Sequence, residues 1–184
     1  MKEFDPTIVL KGKRITLRFL KESDTKDIFN NINHNQKVLR YFIDSYYDSI
    51  DQLDLKKRID YFMVNERYIF AIEKNDTKEV IGMILWCNSP SKLFQNVEIG
   101  YAIGEEHWNK GYTSEALILM IDFCFSAGIH RVVTACVTEN IASRKVMEKC
   151  GMIYESLRKE ELYYHEQYYD TYNYYLINPK DLTK

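Results

Sequence analysis

The sequence is poor in proline, glycine and cysteine, with three, seven and four residues of each among 184. The cysteines are widely spaced and form no Cys-x-x-Cys pair, and the four histidines show no metal-ligand spacing. This pattern argues against a disulfide framework and a zinc site, so we expect reduced core thiols, a cytoplasmic protein and no bound metal. The cysteines are Cys87, Cys124, Cys136 and Cys150.

Long apolar runs and an excess of one charge are also missing. Met1–Pro6 lacks the apolar core of a signal sequence and Asp122 interrupts the longest apolar stretch, so we expect neither export nor a membrane-spanning segment. A formal net charge of −2 gives no general attraction to nucleic acid or to an anionic membrane. Since no repeat, low-complexity tract or linker divides the chain, residues 1–184 are predicted to form a single domain.

The sequence contains an ordinary globular mixture of 46% apolar and 28% charged residues. Apolar residues at every second position, as at Ile15, Leu17 and Phe19, predict a half-buried strand. Strand and helix patterns alternate along the chain, which indicates a mixed α/β class. The predicted elements before residue 95 are a strand in Gly12–Leu20, helices at about Thr25–Ile32 and Ile50–Glu66, a hairpin of Tyr68–Glu73 and Glu79–Trp86, and a loop at Ser89–Ser91.

The segment from Lys159 to Ile177 is rich in tyrosine. Aromatic residues favour strands and pack across them, so we predict a β-hairpin that turns near His165–Gln167. Two roles stay open for this hairpin: a purely structural one, or the wall of a pocket or a dimer surface. Its tyrosines are Tyr163, Tyr164, Tyr168, Tyr169, Tyr172, Tyr174 and Tyr175.

A strand, a loop and a helix follow one another between Val97 and Ala116. The apolar strand Val97–Ile103 leads to Gly111, just before an amphipathic helix whose buried face is predicted at Ala116, Leu117, Met120, Ile121 and Cys124. Glycine permits backbone angles closed to other residues, so successive N–H groups can converge on an anion at the positive end of the helix. The arrangement predicts a phosphate cradle, although such a glycine can also simply begin an element.

A second segment, Val137–Met152, again has a strand end, a helix and a terminating glycine. Together the two segments resemble the acyl-CoA-binding motifs of the GNAT superfamily of N-acetyltransferases, most closely the branch that includes the ribosomal-protein alanine N-acetyltransferases. The resemblance implies a twisted mixed sheet of about seven strands that splays between the fourth and fifth strands, with about four flanking helices. It also implies acetyl-CoA as cosubstrate and no metal.

The resemblance implies which residues hold the cofactor. Two neighbouring parallel strands splay apart, and the pantetheine arm pairs with the free backbone between them as a short strand would. A backbone N–H on the first of these strands, at Tyr101 or Ala102, polarises the thioester carbonyl. Asn140 matches the family asparagine that bonds the arm, or it caps a helix. The cofactor-binding residues expected are Tyr101, Ala102, Ile103, Asn109, Lys110, Gly111, Tyr112, Thr113, Ser114, Asn140 and Ser143.

The catalytic residues expected are Glu98 and Ser143. An amine with a pKa of about 10 must lose a proton before it attacks, and Glu98 on the first strand is the leading base, acting through a water. Asp170, Glu160, Glu161 and Tyr101 are further candidates. Many superfamily members carry a tyrosine acid where this chain has Met147, so Ser143 becomes a possible donor to the departing thiolate, unless it only caps the helix or contacts the cofactor.

These features predict an acetyl-CoA-dependent N-acetyltransferase that works by direct attack of the amine. No cysteine lies at an evident nucleophile position, which argues against an acyl-enzyme. The acceptor is expected to be a protein N-terminus or a small-molecule amine, and a homodimer is possible because dimers are common in the resembled family. The alternative is a non-catalytic acyl-CoA sensor, which the presence of Met147 keeps open.

Overall fold

The computed structural model describes residues 7–88 and 95–181. The Met1–Pro6 segment and the predicted Ser89–Ser91 loop lie outside these residues. The described chain forms one eight-stranded sheet and five α-helices. The strands are β1 (Val9–Lys11), β2 (Ile15–Phe19), β3 (Tyr68–Lys74), β4 (Val80–Trp86), β5 (Asn96–Ile103), β6 (Arg131–Val137), β7 (Ile153–Tyr164) and β8 (Gln167–Ile177); the helices are α1 (Thr25–Ile28), α2 (Gln36–Leu39), α3 (Leu55–Val64), α4 (Tyr112–Ser126) and α5 (Ile141–Lys149).

The strands lie in the order β1-β2-β3-β4-β5-β6-β8-β7. Every neighbouring pair is antiparallel except β5 and β6, which are parallel and are joined through α4. The predicted mixed sheet is therefore confirmed, and the predicted fourth and fifth strands are β5 and β6. The additional strand is β1, three residues that pair with β2 and are too few to show a period in the sequence.

The helices before β3 differ from the prediction in detail. The predicted Thr25–Ile32 helix is α1 continued by a π-helical turn, Phe29–Asn33, and the short α2 follows it. The second predicted helix begins at Leu55 rather than at about Ile50, because Asp54 caps it: the Asp54 side chain accepts a hydrogen bond from the Lys57 N–H.

The sheet separates two apolar layers. Val97 and Ile99 of β5 face the layer that contains α4, whereas Ala102 belongs to the layer beneath α1, α2 and α3. Strand side chains alternate between faces, so Glu98 and Gly100 share the face of Ala102. β5 thus carries one face toward α4 and one face toward the first three helices.

The tyrosine-rich hairpin is confirmed as β7 and β8. His165 and Glu166 form its two-residue turn with φ angles of +49° and +58°, the left-handed geometry that a tight hairpin turn requires. β7 lies at the edge of the sheet and is largely exposed. Near the turn, the Tyr164 hydroxyl lies 3.2 Å from the Asp44 carbonyl oxygen and 3.4 Å from that of Phe42, so the hairpin tip contacts the segment after α2.

No helix within residues 7–88 and 95–181 combines the length and apolar character needed to cross a membrane. In the same part of the chain, no three His, Cys, Asp or Glu side chains are grouped to hold a metal ion.

Candidate active site

β5 and β6 separate part-way along their length. Their pairing within the described strands covers only three positions and ends where Glu98 faces Val133, although β5 continues to Ile103 and β6 to Val137. At the point of separation the Thr134 hydroxyl donates a 2.7 Å hydrogen bond to the Ile99 carbonyl. Beyond it, the two facing strand edges are left open to a ligand, and the predicted splay is present.

The hydrogen-bond alternation of β5 identifies which backbone groups face this gap. The Cys87 N–H bonds the Glu98 carbonyl, and the Gly104 N–H bonds the Ile81 carbonyl. In an antiparallel pair the bonded positions alternate, so the N–H of Ala102 also points to β4. The N–H of Tyr101 points into the gap. Of the two candidates for the carbonyl-polarising N–H, the strand geometry therefore favours Tyr101 and not Ala102.

The start of α4 has the geometry of an anion cradle. Gly111 precedes the helix with φ of +80° and ψ of +7°, and among the described residues no side chain caps the first turn. Asn109 also has a positive φ, +59°, so the loop curls tightly before the helix begins. The uncapped N–H groups of the first turn are left for a ligand, and the partial positive charge there favours an anion.

Two cationic side chains, Arg14 and Lys149, lie beside this cradle, and no local sequence motif identifies them. The Arg14 guanidinium donates a 2.7 Å hydrogen bond to the Lys110 carbonyl and a 2.9 Å bond to the Glu115 carboxylate. A Cβ built on Gly111 would lie 3.4 Å from the Arg14 Nη2 and 4.0 Å from the Lys149 Nζ. Only the tertiary fold brings these side chains, one from the turn just before β2 and one from α5, to the loop, so sequence spacing alone does not reveal them.

The start of α5 lies beside the gap between β5 and β6. The Asn140 side-chain oxygen accepts a 3.0 Å hydrogen bond from the Ser143 N–H, so Asn140 caps the helix in this structure. The Ser143 hydroxyl lies 2.9 Å from the Tyr101 hydroxyl, which is also 3.3 Å from the Ser143 carbonyl oxygen. This contact links β5 to α5 across the open end of the gap. Burial raises the pKa of Tyr101 well above its usual value, so its hydroxyl stays protonated.

Met147 does not face the site. Its side chain is fully buried in the core beneath α4 and α5. Met147 is therefore used for packing here, whereas Ser143 lines the cleft.

These walls enclose a cleft of about 730 Å³. Lys110 and Tyr112 lie outside its wall: the Lys110 side chain is exposed, and Tyr112 packs under the Arg14 guanidinium, 4.6 Å from its ring centroid. The wall also includes Lys37, Arg40, Lys145 and Lys149 against the single carboxylate of Glu139, a balance that suits a ligand carrying phosphates. The predicted cofactor residues that line the cleft are Tyr101, Ala102, Ile103, Asn109, Gly111, Thr113, Ser114, Asn140 and Ser143.

Glu98 lies where the two strands part, with an exposed side chain on the face away from α4. Its N–H is held by the Asn88 side-chain oxygen at 2.6 Å, which fixes the backbone at this position. Three residues of strand, about 10 Å, separate Glu98 from Tyr101. The Glu98 carboxylate therefore does not contact the Tyr101 N–H directly.

Two of the other candidate bases, Glu161 and Asp170, accept hydrogen bonds from neighbouring groups. Burial raises the pKa of Glu161, but hydrogen bonds from Thr171 and Arg158 outweigh it and lower that pKa overall. The Lys159 ammonium and the Glu160 N–H lower the pKa of Asp170. Both carboxylates are therefore weaker bases than an ordinary glutamate or aspartate.

Comparison with known proteins identifies the family of this chain. The family model for the GNAT acetyltransferase domain matches residues 14–153. The chain belongs to the GNAT acetyltransferase family. It is 31% identical, over 176 residues, to the uncharacterized N-acetyltransferase YoaA of Bacillus subtilis (strain 168), covering 94% of this chain and 98% of that protein.

Solved structures show the same GNAT fold. The ribosomal-protein-S5-alanine acetyltransferase from Vibrio fischeri has a TM-score of 0.80 at 21% identity, covering 94% of this chain and 97% of that one. Spermidine N-acetyltransferase from Vibrio cholerae, solved in complex with CoA and spermine, has a TM-score of 0.78 at 24% identity, covering 93% and 99%.

GNAT family membership makes this chain an acetyl-CoA-dependent N-acetyltransferase. The alternative of a non-catalytic acyl-CoA sensor receives no support from these relatives. The residues present fit the cosubstrate: the cradle at Gly111 with Arg14 and Lys149 suits its diphosphate, and the open edge at Tyr101 suits its amide-bearing arm. Bound there, acetyl-CoA would supply the activated acetyl group.

Proposed function

We propose that this protein acetylates the primary amine of a protein N-terminus or of a small molecule by direct attack on the thioester, with Glu98 and Ser143 as catalytic residues. The observation that carries the proposal is the end of β5–β6 pairing at Glu98. That separation leaves the Tyr101 N–H toward the gap, where it stabilises negative charge developing on the thioester oxygen, a contribution of about 3 kcal/mol for one such donor.

Glu98 acts as the general base through a water. What supports this role is its exposed carboxylate beside the separation of the strands, whereas Glu161 and Asp170 are held by hydrogen-bond donors that lower their pKa values. The base takes a proton from the ammonium of the acceptor, which is mostly charged at neutral pH. Only the neutral amine then carries the lone pair that attacks.

Ser143 acts on the departing thiolate. Its hydroxyl lies on the cleft wall beside Tyr101, and a hydroxyl bonded to an anionic sulfur stabilises the charge that the sulfur gains as the carbon–sulfur bond breaks. Because the CoA thiol has a pKa of about 8.5, the thiolate is a moderate leaving group and such assistance is sufficient without a stronger acid.

The cofactor contacts are proposed as follows. The main chain from Asn109 to Ser114 holds the diphosphate, Asn140 contacts the arm while capping α5, and the edge from Tyr101 to Ile103 lies along the arm. Arg14 and Lys149 add positive charge beside the phosphates. The uncapped first turn of α4 and the positions of these two cations support this arrangement.

The experiment that tests the function is release of CoA thiol from acetyl-CoA with a panel of amines: polyamines, amino-acid amides and peptides with different N-terminal residues. Acetylation of at least one primary amine, seen as a mass increase of the acceptor, is expected. Thioester hydrolysis alone, with no acetylated product across the panel, would contradict the acceptor class.

Glu98→Gln tests the base. The amide cannot take up the proton, so we expect turnover to fall about 10²-fold or more while CoA affinity, measured by calorimetry, stays at the wild-type value. Glu160→Gln is the matched variant, since Glu160 is another exposed candidate carboxylate. Wild-type turnover in Glu98→Gln at every pH, or loss of turnover in Glu160→Gln instead, would remove Glu98 from this role.

The remaining features of the proposal concern the whole protein. We propose a single domain over residues 1–184, located in the cytoplasm, with no nucleic-acid or membrane partner, on the basis of its four free cysteines and net charge of −2. A homodimer is also proposed; the exposed edge strand β7, with Ile153, Tyr154 and Leu157 at least 39% exposed, supports it. Sedimentation equilibrium distinguishes the dimer from a monomer.

A further inference from the structure

We infer that Tyr101 is a positioning residue: its hydroxyl donates to the Ser143 hydroxyl oxygen and thereby turns the Ser143 proton toward the sulfur of CoA. This inference, which rests on the function proposed above, concerns a side chain for which only main-chain roles and a possible role as base were expected. The two hydroxyl oxygens lie 2.9 Å apart, and both residues line the cleft.

The partners of Tyr101 support this direction, although either of the two hydroxyls could be the donor by geometry alone. A tyrosine hydroxyl has one proton to donate, and both partners of the Tyr101 hydroxyl belong to Ser143: the hydroxyl at 2.9 Å and the carbonyl at 3.3 Å. Because O–H···O hydrogen bonds are about 2.5–3.0 Å long, we assign the Tyr101 proton to the hydroxyl contact rather than to the longer carbonyl contact. Burial raises the pKa of Tyr101, so the proton is retained and the donation persists across the physiological pH range.

Once Ser143 accepts from Tyr101, its own proton is available to another acceptor. The neighbouring side-chain candidate is the Cys136 thiol on β6, whose pKa burial raises to about 11. A protonated thiol is a weak acceptor, whereas the departing sulfur of CoA carries a full negative charge and accepts a stronger bond. The Ser143 proton is therefore directed to the CoA sulfur when that sulfur is present.

Other titratable groups around this contact lie on α5 or directly beside it. Lys145 and Lys149 lie on α5, Glu139 lies just before it, and Cys150 follows it. These groups also influence the binding of a charged ligand as the pH changes. A test must therefore separate the effect of pH on the contact with the sulfur from its effect on the contacts with the phosphates.

The test compares the Kd of CoA with that of desulfo-CoA, which lacks the sulfur, for the full-length protein from about pH 6.5 to about pH 9.5, a range that brackets the free thiol pKa of about 8.5. A hydrogen bond to the thiolate lowers the pKa of the bound thiol, so the affinity of CoA relative to desulfo-CoA increases as the pH rises through that bound pKa. Titration of the phosphates and lysines is common to both ligands and cancels in the ratio.

For the wild type we expect the affinity ratio to grow by about tenfold across this range, the effect of one charge-assisted hydrogen bond. Tyr101→Phe and Ser143→Ala should each remove most of that growth. The double variant should show no further loss beyond Ser143→Ala, because Tyr101 acts through Ser143. Circular dichroism and desulfo-CoA binding establish that each variant is folded.

Tyr174→Phe is the matched control. Tyr174 is 3% exposed, and its hydroxyl donates a 3.1 Å hydrogen bond to Glu148 on the same helix, α5. It therefore anchors α5 without contacting Ser143, and the variant should keep the wild-type pH profile. A flattened profile in Tyr174→Phe would assign the Tyr101 effect to helix anchoring and overturn the inference.

The other outcomes are equally decisive. Wild-type growth of the ratio in Tyr101→Phe, or a further loss when Tyr101→Phe is added to Ser143→Ala, overturns the positioning role. A flat ratio in the wild type, with both ligands bound, overturns the contact of Ser143 with the sulfur. Failure of both CoA and desulfo-CoA to bind would instead contradict the proposed cofactor site itself.

Discussion

At the scale of single residues, Gly111 combines a left-handed backbone with close positive charge. We expect Gly111→Asp to reduce CoA affinity by at least about tenfold, because the new carboxylate would meet the Arg14 and Lys149 side chains at 3.4 and 4.0 Å from its Cβ and would repel the diphosphate. Calorimetric titration with CoA measures the loss.

Gly128→Asp is the control for backbone strain. Gly128 has a φ of +86° and nothing within 4 Å of an added Cβ, so it experiences a similar conformational penalty far from the cradle. Unchanged CoA affinity in Gly111→Asp, or an equal loss in both variants, would show that the cradle lies elsewhere.

The residues predicted for the site differ in how well sequence could locate them. Gly111 and Ser114 lie three residues apart in a local pattern of strand, loop and helix, so their place on the cleft wall could be predicted. Arg14 and Lys149 reach the same loop from distant parts of the chain, and a single sequence carries no signal of such proximity. The sequence left Asn140 as either a contact for the cofactor arm or a helix cap, and the structure shows that it caps the helix.

At the scale of elements, the approach of β4 to β5 fixes the open strand edge. A Cβ at Gly82 would lie 2.3 Å from the Ala102 carbonyl oxygen and 2.9 Å from the Ile103 Cα, both of them backbone atoms. Gly82→Ala must therefore displace β5 at the end that lines the cleft. We expect the free energy of unfolding to fall by about 1–3 kcal/mol, with weaker CoA binding, as measured by denaturant titration and calorimetry.

Gly100→Ala provides a comparison in the same pair of strands. Its added Cβ would be 3.2 Å from the Cys87 sulfur, a side-chain atom that can move, so the loss of stability should be smaller. Equal stability of Gly82→Ala and the wild type would mean that β5 tolerates displacement and that the close approach does not set the cleft.

The bounds of helices and strands could be predicted where an apolar period extends over several turns. They could not be predicted where tertiary contacts determine the backbone geometry. The face of α4 was predictable because it repeats over four turns, and the residues expected to be buried are buried. The π-helical turn after α1 was not, because its geometry depends on packing: Phe29 and Ile32 are buried beneath the sheet, and the Asn33 side chain bonds the Ser45 carbonyl. Such contacts leave no local pattern.

At the scale of the whole molecule, the fold keeps its thiols protonated. Burial, followed by the charge of Glu98, raises the pKa of Cys87 to about 12, and burial raises the pKa values of Cys136 and Cys150 to about 11 and that of Cys124 further. Since the thiolate is the reactive form, we expect the native protein to react slowly with a disulfide reagent at about pH 8.

In denaturant, all four free cysteines should react rapidly, and absorbance of the released thiol counts them. Prompt reaction of two or more thiols in the native protein would contradict the burial seen here. Slow native reaction also means that a thiol-detecting assay of acetyl transfer records released CoA with little background from the protein.

The overall architecture was predictable because the segments Val97–Ala116 and Val137–Met152 together resemble the GNAT motifs, and that resemblance implies one arrangement of the central strands. The part of the cleft wall that follows α2 carries no sequence motif, and its contact with the hairpin tip arises only in three dimensions.

The contact of Tyr164 with the Phe42 and Asp44 carbonyls links two stretches of chain that lie more than a hundred residues apart. Phe42 is also part of the cleft wall, so lengthening or shortening the hairpin shifts that wall while the loop at Gly111 stays in place. The two parts of the cleft wall are therefore held by separate sets of contacts, so one can change shape without the other.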